Sequence, residues 1–142
     1  MKKGGIINQE LMSVLTGLGH GDTFTICDAG FPIPADAKKI DMALTPGVPT
    51  TIQVLKAVLN EVIVEEMAVA EEIQDFSPEL LAEYNSIFVE QPKLMPQYTK
   101  FSLMAQKSKF FIRTGDLTPY ANILLTSASG VRKYNEKFDA SF

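Results

Sequence analysis

Apolar residues in this chain change period again and again, and glycine or proline marks nearly every change. Leu11, Val14, Leu15 and Leu18 recur at the spacing of one helix face. Asn8 is placed to cap that helix, and Gly17 and Gly19 to end it. Thr23 to Cys27 is β-branched and aromatic, which predicts a buried strand. Asp28-Ala29-Gly30-Phe31-Pro32-Ile33-Pro34 then reads as a loop. Ile40 to Leu44 predicts a short strand, broken by Pro46-Gly47-Val48-Pro49. Thr50 to Leu59 reads as a helix and Val62 to Val69 as a strand. Ser77-Pro78-Glu79 predicts a helix start, with Ser77 as N-cap and Pro78 at the first position, running to about Val89. Leu94 to Tyr98, Lys109 to Arg113 and Tyr120 to Thr126 read as strands, with a helix over Phe101 to Ser108 and a turn over Thr114 to Pro119. Residues 127–142 read as a peripheral, mixed polar tail. Such alternation predicts an α/β fold: a single layered domain over residues 1–142, with helices packed on a central β-sheet.

Composition narrows the chemistry. One histidine (His20) and one cysteine (Cys27) in 142 residues leave no internal disulfide, thiolate cluster or poly-histidine metal site. The 13 Lys and Arg against 17 Asp and Glu give a net charge of −4, which argues against nucleic acid as a partner. The longest apolar runs, such as Phe110 to Ile112, are far too short to span a bilayer. No apolar run of signal-peptide length follows the basic start, so a cytoplasmic protein is expected. The mildly apolar mean hydropathy of +0.07 fits a surface partly covered by other subunits.

Candidate chemistry concentrates in two places. Gly19-His20-Gly21-Asp22 sets the one imidazole between glycines that let a ligand approach, with Asp22 placed to orient the ring. The alternative is a surface-turn histidine beside a capping aspartate. Asp28, at the end of a strand, reads either as a ligand anchor or as the start of an Asx-turn. In Thr118-Pro119-Tyr120-Ala121-Asn122, an extended backbone would point Tyr120 and Asn122 the same way. An apolar ring face, a hydroxyl and an amide suit a polyol such as a sugar; the alternative is a packed tyrosine and a turn asparagine. Cys27 reads as an inert buried thiol, Asp41 as structural, and Glu61, Glu65, Glu66, Glu71 and Glu72 as a solvated face. The glycines form no phosphate-binding fingerprint.

Taken in order and spacing, Lys2-Lys3-Gly4 with Asn8, Gly19-His20-Gly21-Asp22, Asp28 to Pro34, Ile40 to Leu44 with Pro46 to Pro49, and Arg113 to Asp116 with Pro119 to Asn122 resemble the D-ribose pyranase / L-fucose mutarotase family. The likeness runs to about Leu125 and covers roughly Phe76 to Pro96 only by length and helical pattern. It implies an isomerase that interconverts ring forms or anomers of a free monosaccharide without cofactor or metal. It also implies a ring-like homo-oligomer, a decamer in ribose pyranases, with active sites between neighbouring subunits. Carried over by motif, His20 is the catalytic proton donor, while Asp28, Tyr120 and Asn122 bind the sugar. Ribose-type members carry a second histidine near the position of Tyr98, and fucose-type members tend to carry arginine there. Tyr98 therefore takes the substrate-binding place and leaves the sugar open between L-fucose and D-ribose. Ile40 to Pro49 look ribose-type, whereas Gly21, Phe31-Pro32 and Ala105-Gln106-Lys107 look fucose-type. The alternative function is a non-catalytic sugar-binding or transport-accessory protein.

Overall fold

In a computed structural model describing residues 1–130, strand residues sort by alternation onto the two faces of one sheet. The elements in chain order are α1 (Gln9–Thr16), β1 (Thr23–Cys27), β2 (Lys39–Asp41), α2 (Thr51–Leu59), β3 (Val64–Ala68), α3 (Ile73–Phe76), α4 (Pro78–Ile87), β4 (Lys93–Leu94), α5 (Tyr98–Ala105), β5 (Phe111–Arg113) and β6 (Ile123–Ser127). The strands form one sheet in the order β2-β5-β1-β6-β3-β4. It is mixed: β6 runs antiparallel to both β1 and β3, and the other pairings are parallel.

Phe24 and Ile26 of β1, Ile112 of β5 and Ile123 and Leu125 of β6 face one core with α1, α2 and α4. Cys27, Phe111 and Leu124 face the other, under Phe101 and Ala105 of α5. Because both faces are covered, β1 and β6 read as near-continuous apolar runs rather than alternating ones. The α/β layered expectation holds. Local signals hold as well: Asn8 accepts from Leu11 N, and Thr50 forms a reciprocal capping box with Gln53 that closes the start of α2.

Four expectations are corrected. Ser77 holds the N-cap position of α4 with Pro78 after it, as expected, but its side chain makes no capping bond; its hydroxyl donates to Pro119 O at 2.6 Å, and a short helix, α3, precedes it. Leu94 to Tyr98 is not one strand: β4 is two residues long, Pro96 carries no N–H for a ladder, and Tyr98 opens α5. Tyr120 is not extended; its φ of 58° lies in the left-handed region, and β6 begins only at Ile123. Ser127, assigned to the tail, is the buried last residue of β6. The rest of that tail from residue 131 onward lies outside the described residues. Among the described residues no helix is long and apolar enough to cross a membrane.

Candidate active site

β1 separates the two groups of sequence-identified residues. At its C-terminal end Asp28, Tyr98, Tyr120 and Asn122 come together. Asn122 is buried, and its Oδ1 accepts the Asp28 N–H at 2.8 Å, so the start of β6 clamps the end of β1. The Asp28 carboxylate accepts from Gly30 N at 3.0 Å, which is the Asx-turn expected of it. Burial raises the Asp28 carboxyl above its ordinary value, against the lowering effect of hydrogen bonds from Gly30 and Asn122. The rings of Tyr98 and Tyr120 meet edge-on, 5.7 Å apart, and Phe76 packs 5.2 Å from Tyr120. Burial, then the Asp28 charge, raises the Tyr98 phenol, which keeps it a neutral donor beside that carboxylate.

The loop carrying Tyr120 is held at several points. Ser77 Oγ donates to Pro119 O, and the buried Tyr84 hydroxyl donates to Ala121 O. A left-handed non-glycine residue costs on the order of 1–3 kcal/mol and persists only where its surroundings over-determine it. Here the two flanking hydrogen bonds do so, and the Tyr120 ring packs against both Phe76 and Tyr98. Behind this loop, Asp116 accepts from Thr51 N at 2.8 Å and Thr118 N at 2.9 Å. Burial alone would raise the Asp116 carboxyl; the hydrogen bonds from Thr51 and Thr118 outweigh it and hold it below the usual carboxylate range. At Gly115 an added Cβ would come within 2.6 Å of Thr45 O, so only glycine lets this loop pack on the 45–49 turn.

His20 stands at the opposite, N-terminal end of β1. Its side chain is 59% exposed, and Nε2 lies 3.1 and 3.2 Å from the two carboxylate oxygens of Glu65 on β3. Asp22 does not orient the ring as the spacing suggests. Its carboxylate accepts from Gly19 N and from Lys109 Nζ, both at 2.8 Å; Lys109 first, then the Gly19 amide, hold it below its ordinary value. Three acids read as solvated therefore have specific work: Glu61 accepts from Ile6 N at 2.9 Å, Glu65 meets His20, and Glu72 accepts from Tyr98 N at 3.0 Å, closing the start of α5. All three contacts join residues far apart in sequence, and no local spacing signals them. Cys27 is buried, and burial pushes its thiol up to about 12, which fits the inert reading. Asp41 is paired with Arg113 at 3.1 Å, a structural tie between β2 and β5.

From Asp22 to Asp28 the chain advances six residues, about 20 Å at ~3.3 Å per residue. Proton transfer needs hydrogen-bond reach, about 2.6–3.2 Å. The His20 loop and Asp28 thus stand at opposite ends of β1, with a span between them far longer than that reach.

Fold and cluster define a small α/β protein with a mixed sheet and a carboxylate–amide–aromatic cluster suited to a polyhydroxylated ligand. Residues 1–131 match the model of the RbsD / FucU transport protein family, and the chain belongs to that family. It is 44% identical to a D-ribose pyranase of Geobacillus thermodenitrificans over 127 residues, 89% of this chain and 96% of that relative. The structure of Bacillus subtilis RbsD complexed with D-ribose superposes with a TM-score of 0.86 at 38% identity, covering 90% of this chain and 98% of that one. A fucose mutarotase from Streptococcus pneumoniae, solved with L-fucose, shares the fold at a TM-score of 0.65 and 21% identity, covering 88% and 95%.

Proposed function

We propose that this chain is a monosaccharide mutarotase of the pyranase type, an isomerase that interconverts the ring forms of a free sugar by general acid–base ring opening. The observation that carries this is the assembled cluster of Asp28, Asn122, Tyr98 and Tyr120, in a chain 44% identical to a D-ribose pyranase. Ring opening breaks the bond between the anomeric carbon and the ring oxygen. The ring oxygen gains a proton, the anomeric hydroxyl loses one, and an open-chain aldehyde results. Reclosure through a different hydroxyl, or on the other carbonyl face, gives a different ring form or anomer. An imidazole titrates near neutrality and serves both transfers, an effect typically worth about 10²–10⁴-fold. Asp28 and Asn122 hold sugar hydroxyls, and the Tyr98 and Tyr120 rings offer an apolar wall to the sugar's C–H face.

In this reading His20 acts on sugar held by a neighbouring copy, because His20 and its own Asp28 flank opposite ends of β1 and the stretch from Asp22 to Asp28 alone spans about 20 Å. The exposed apolar residues Leu44, Val48, Phe76 and Leu117 support a homo-oligomer, as the family's ring-like decamer would require. Phe76 touches Tyr120, so that surface is continuous with the sugar cluster. D-ribose is the favoured substrate on the identity to D-ribose pyranases. Tyr98, standing where ribose-type members carry histidine, keeps L-fucose as the second reading. A cytoplasmic location fits the single unpaired thiol.

The test is His20→Ala, with sugar exchange followed by NMR and binding by calorimetry. Exchange is expected to vanish while binding, fold and assembly persist. Full exchange without His20 would overturn the mechanism. Sugar binding by the wild type with no exchange would favour a binding protein instead.

A further inference from the structure

We propose that Glu65 is a positioning residue for His20, fixing which ring nitrogen carries the proton and which faces the reacting sugar. The proposal rests on the proton-transfer role proposed for His20 and makes Glu65 a necessary part of it. Two independent features support it. The first is contact geometry: both Glu65 carboxylate oxygens lie within 3.2 Å of Nε2. An ionised carboxylate only accepts hydrogen bonds, so Nε2 must be the protonated nitrogen, and the neutral ring presents Nδ1 as its open acceptor.

The second is backbone. β3 pairs with β6 through Val64–Ser127 and Glu66–Thr126, so two steps on β3 answer one on β6. Glu65 is the extra residue of a β-bulge, a device that re-aims a side chain where a regular strand would not send it. The same end of the sheet is tied to the histidine loop: Gly21 N donates to Ser127 O at 2.9 Å, and Ser127 N donates to Asp22 O at 2.8 Å. The bulge and the histidine loop thus share one β6 residue as their common reference, which sets the spacing between carboxylate and imidazole. With 26% of its side chain exposed, Glu65 is accessible to solvent yet held on a strand rather than on a loop.

The test uses the assembled, ¹⁵N-labelled protein, in which the single histidine gives one unambiguous pair of ring nitrogen signals. At a pH where the ring is neutral, the wild type is expected to show the Nε2–H tautomer. Glu65→Ala should populate both tautomers and slow sugar exchange by between tenfold and the roughly 10²-fold lower end of a general acid–base contribution. Glu65→Gln, whose amide oxygen still accepts, should retain the tautomer and much of the rate. A wild-type Nδ1–H tautomer overturns the proposal, and so does Glu65→Ala with unchanged tautomer and rate. The tautomer is read without any turnover, so a failure of the mutarotase reading shows separately, as absent exchange in the wild type.

Discussion

Two inactive variants, His20→Ala and Asp28→Ala, should restore activity to each other when their chains assemble together. The reasoning is geometric. From Asp22 to Asp28, the residues flanking β1, the chain spans about 20 Å, so the proposed mechanism requires each site to draw His20 from one copy and Asp28 from its neighbour. In oligomers assembled at random from equal amounts, half of the copies keep His20 and half keep Asp28. About one quarter of the interfaces then combine both intact residues, giving about one quarter of wild-type exchange. If each chain instead built a complete site alone, every chain would carry one defect and the mixture would be as inactive as its parents. The assay is co-expression with two affinity tags, sequential purification of mixed oligomers, and sugar exchange by NMR. Verified mixed oligomers with no activity above the parents would refute the shared-site reasoning.

Three further outcomes follow from the surrounding framework. Tyr84→Phe leaves the buried Ala121 carbonyl unpaired, and should lower unfolding stability by about 1–3 kcal/mol, read by denaturant titration; a change below ~0.5 kcal/mol would remove this bond as an anchor of the Tyr120 loop. Asp116 has a folded-state pKa below its unfolded one, so its contribution is present above the ordinary carboxylate value near 3.9 and is lost as pH falls through the lower folded value; Asp116→Asn should flatten that part of the acid-unfolding curve, and an unchanged slope would contradict the assignment. Leu117→Glu, on the exposed apolar surface, should shift sedimentation toward smaller species, whereas an unaltered assembly would place the subunit contact elsewhere.

Legibility in the sequence followed the range of the interactions involved. β1 matches the expected strand residue for residue because burial on both faces leaves a continuous β-branched and aromatic run. The Asn8 cap is equally local, closing on Leu11 three residues away. Asp28 and Asn122 were both visible as residues, yet the bond joining them spans 94 positions, and only the sheet brings them together. An extended backbone does not account for Tyr120: its ring reaches the cluster through a left-handed backbone fixed by Ser77 and Tyr84, and packs on two aromatic neighbours. Glu65 and Glu72 resembled a solvated acidic face, because their partners lie 45 and 26 residues away. Asp22 shows the reverse error, since nearness to His20 in sequence suggested a pairing that Lys109 supplies instead.

The most direct measurement is exchange NMR on the wild-type protein with free D-ribose, and in parallel L-fucose, at equilibrium in buffer. The account predicts catalysed interconversion of ring forms well above the buffer rate for at least one of the two sugars. Exchange no faster than buffer for both, in an assembled and folded sample, would contradict it.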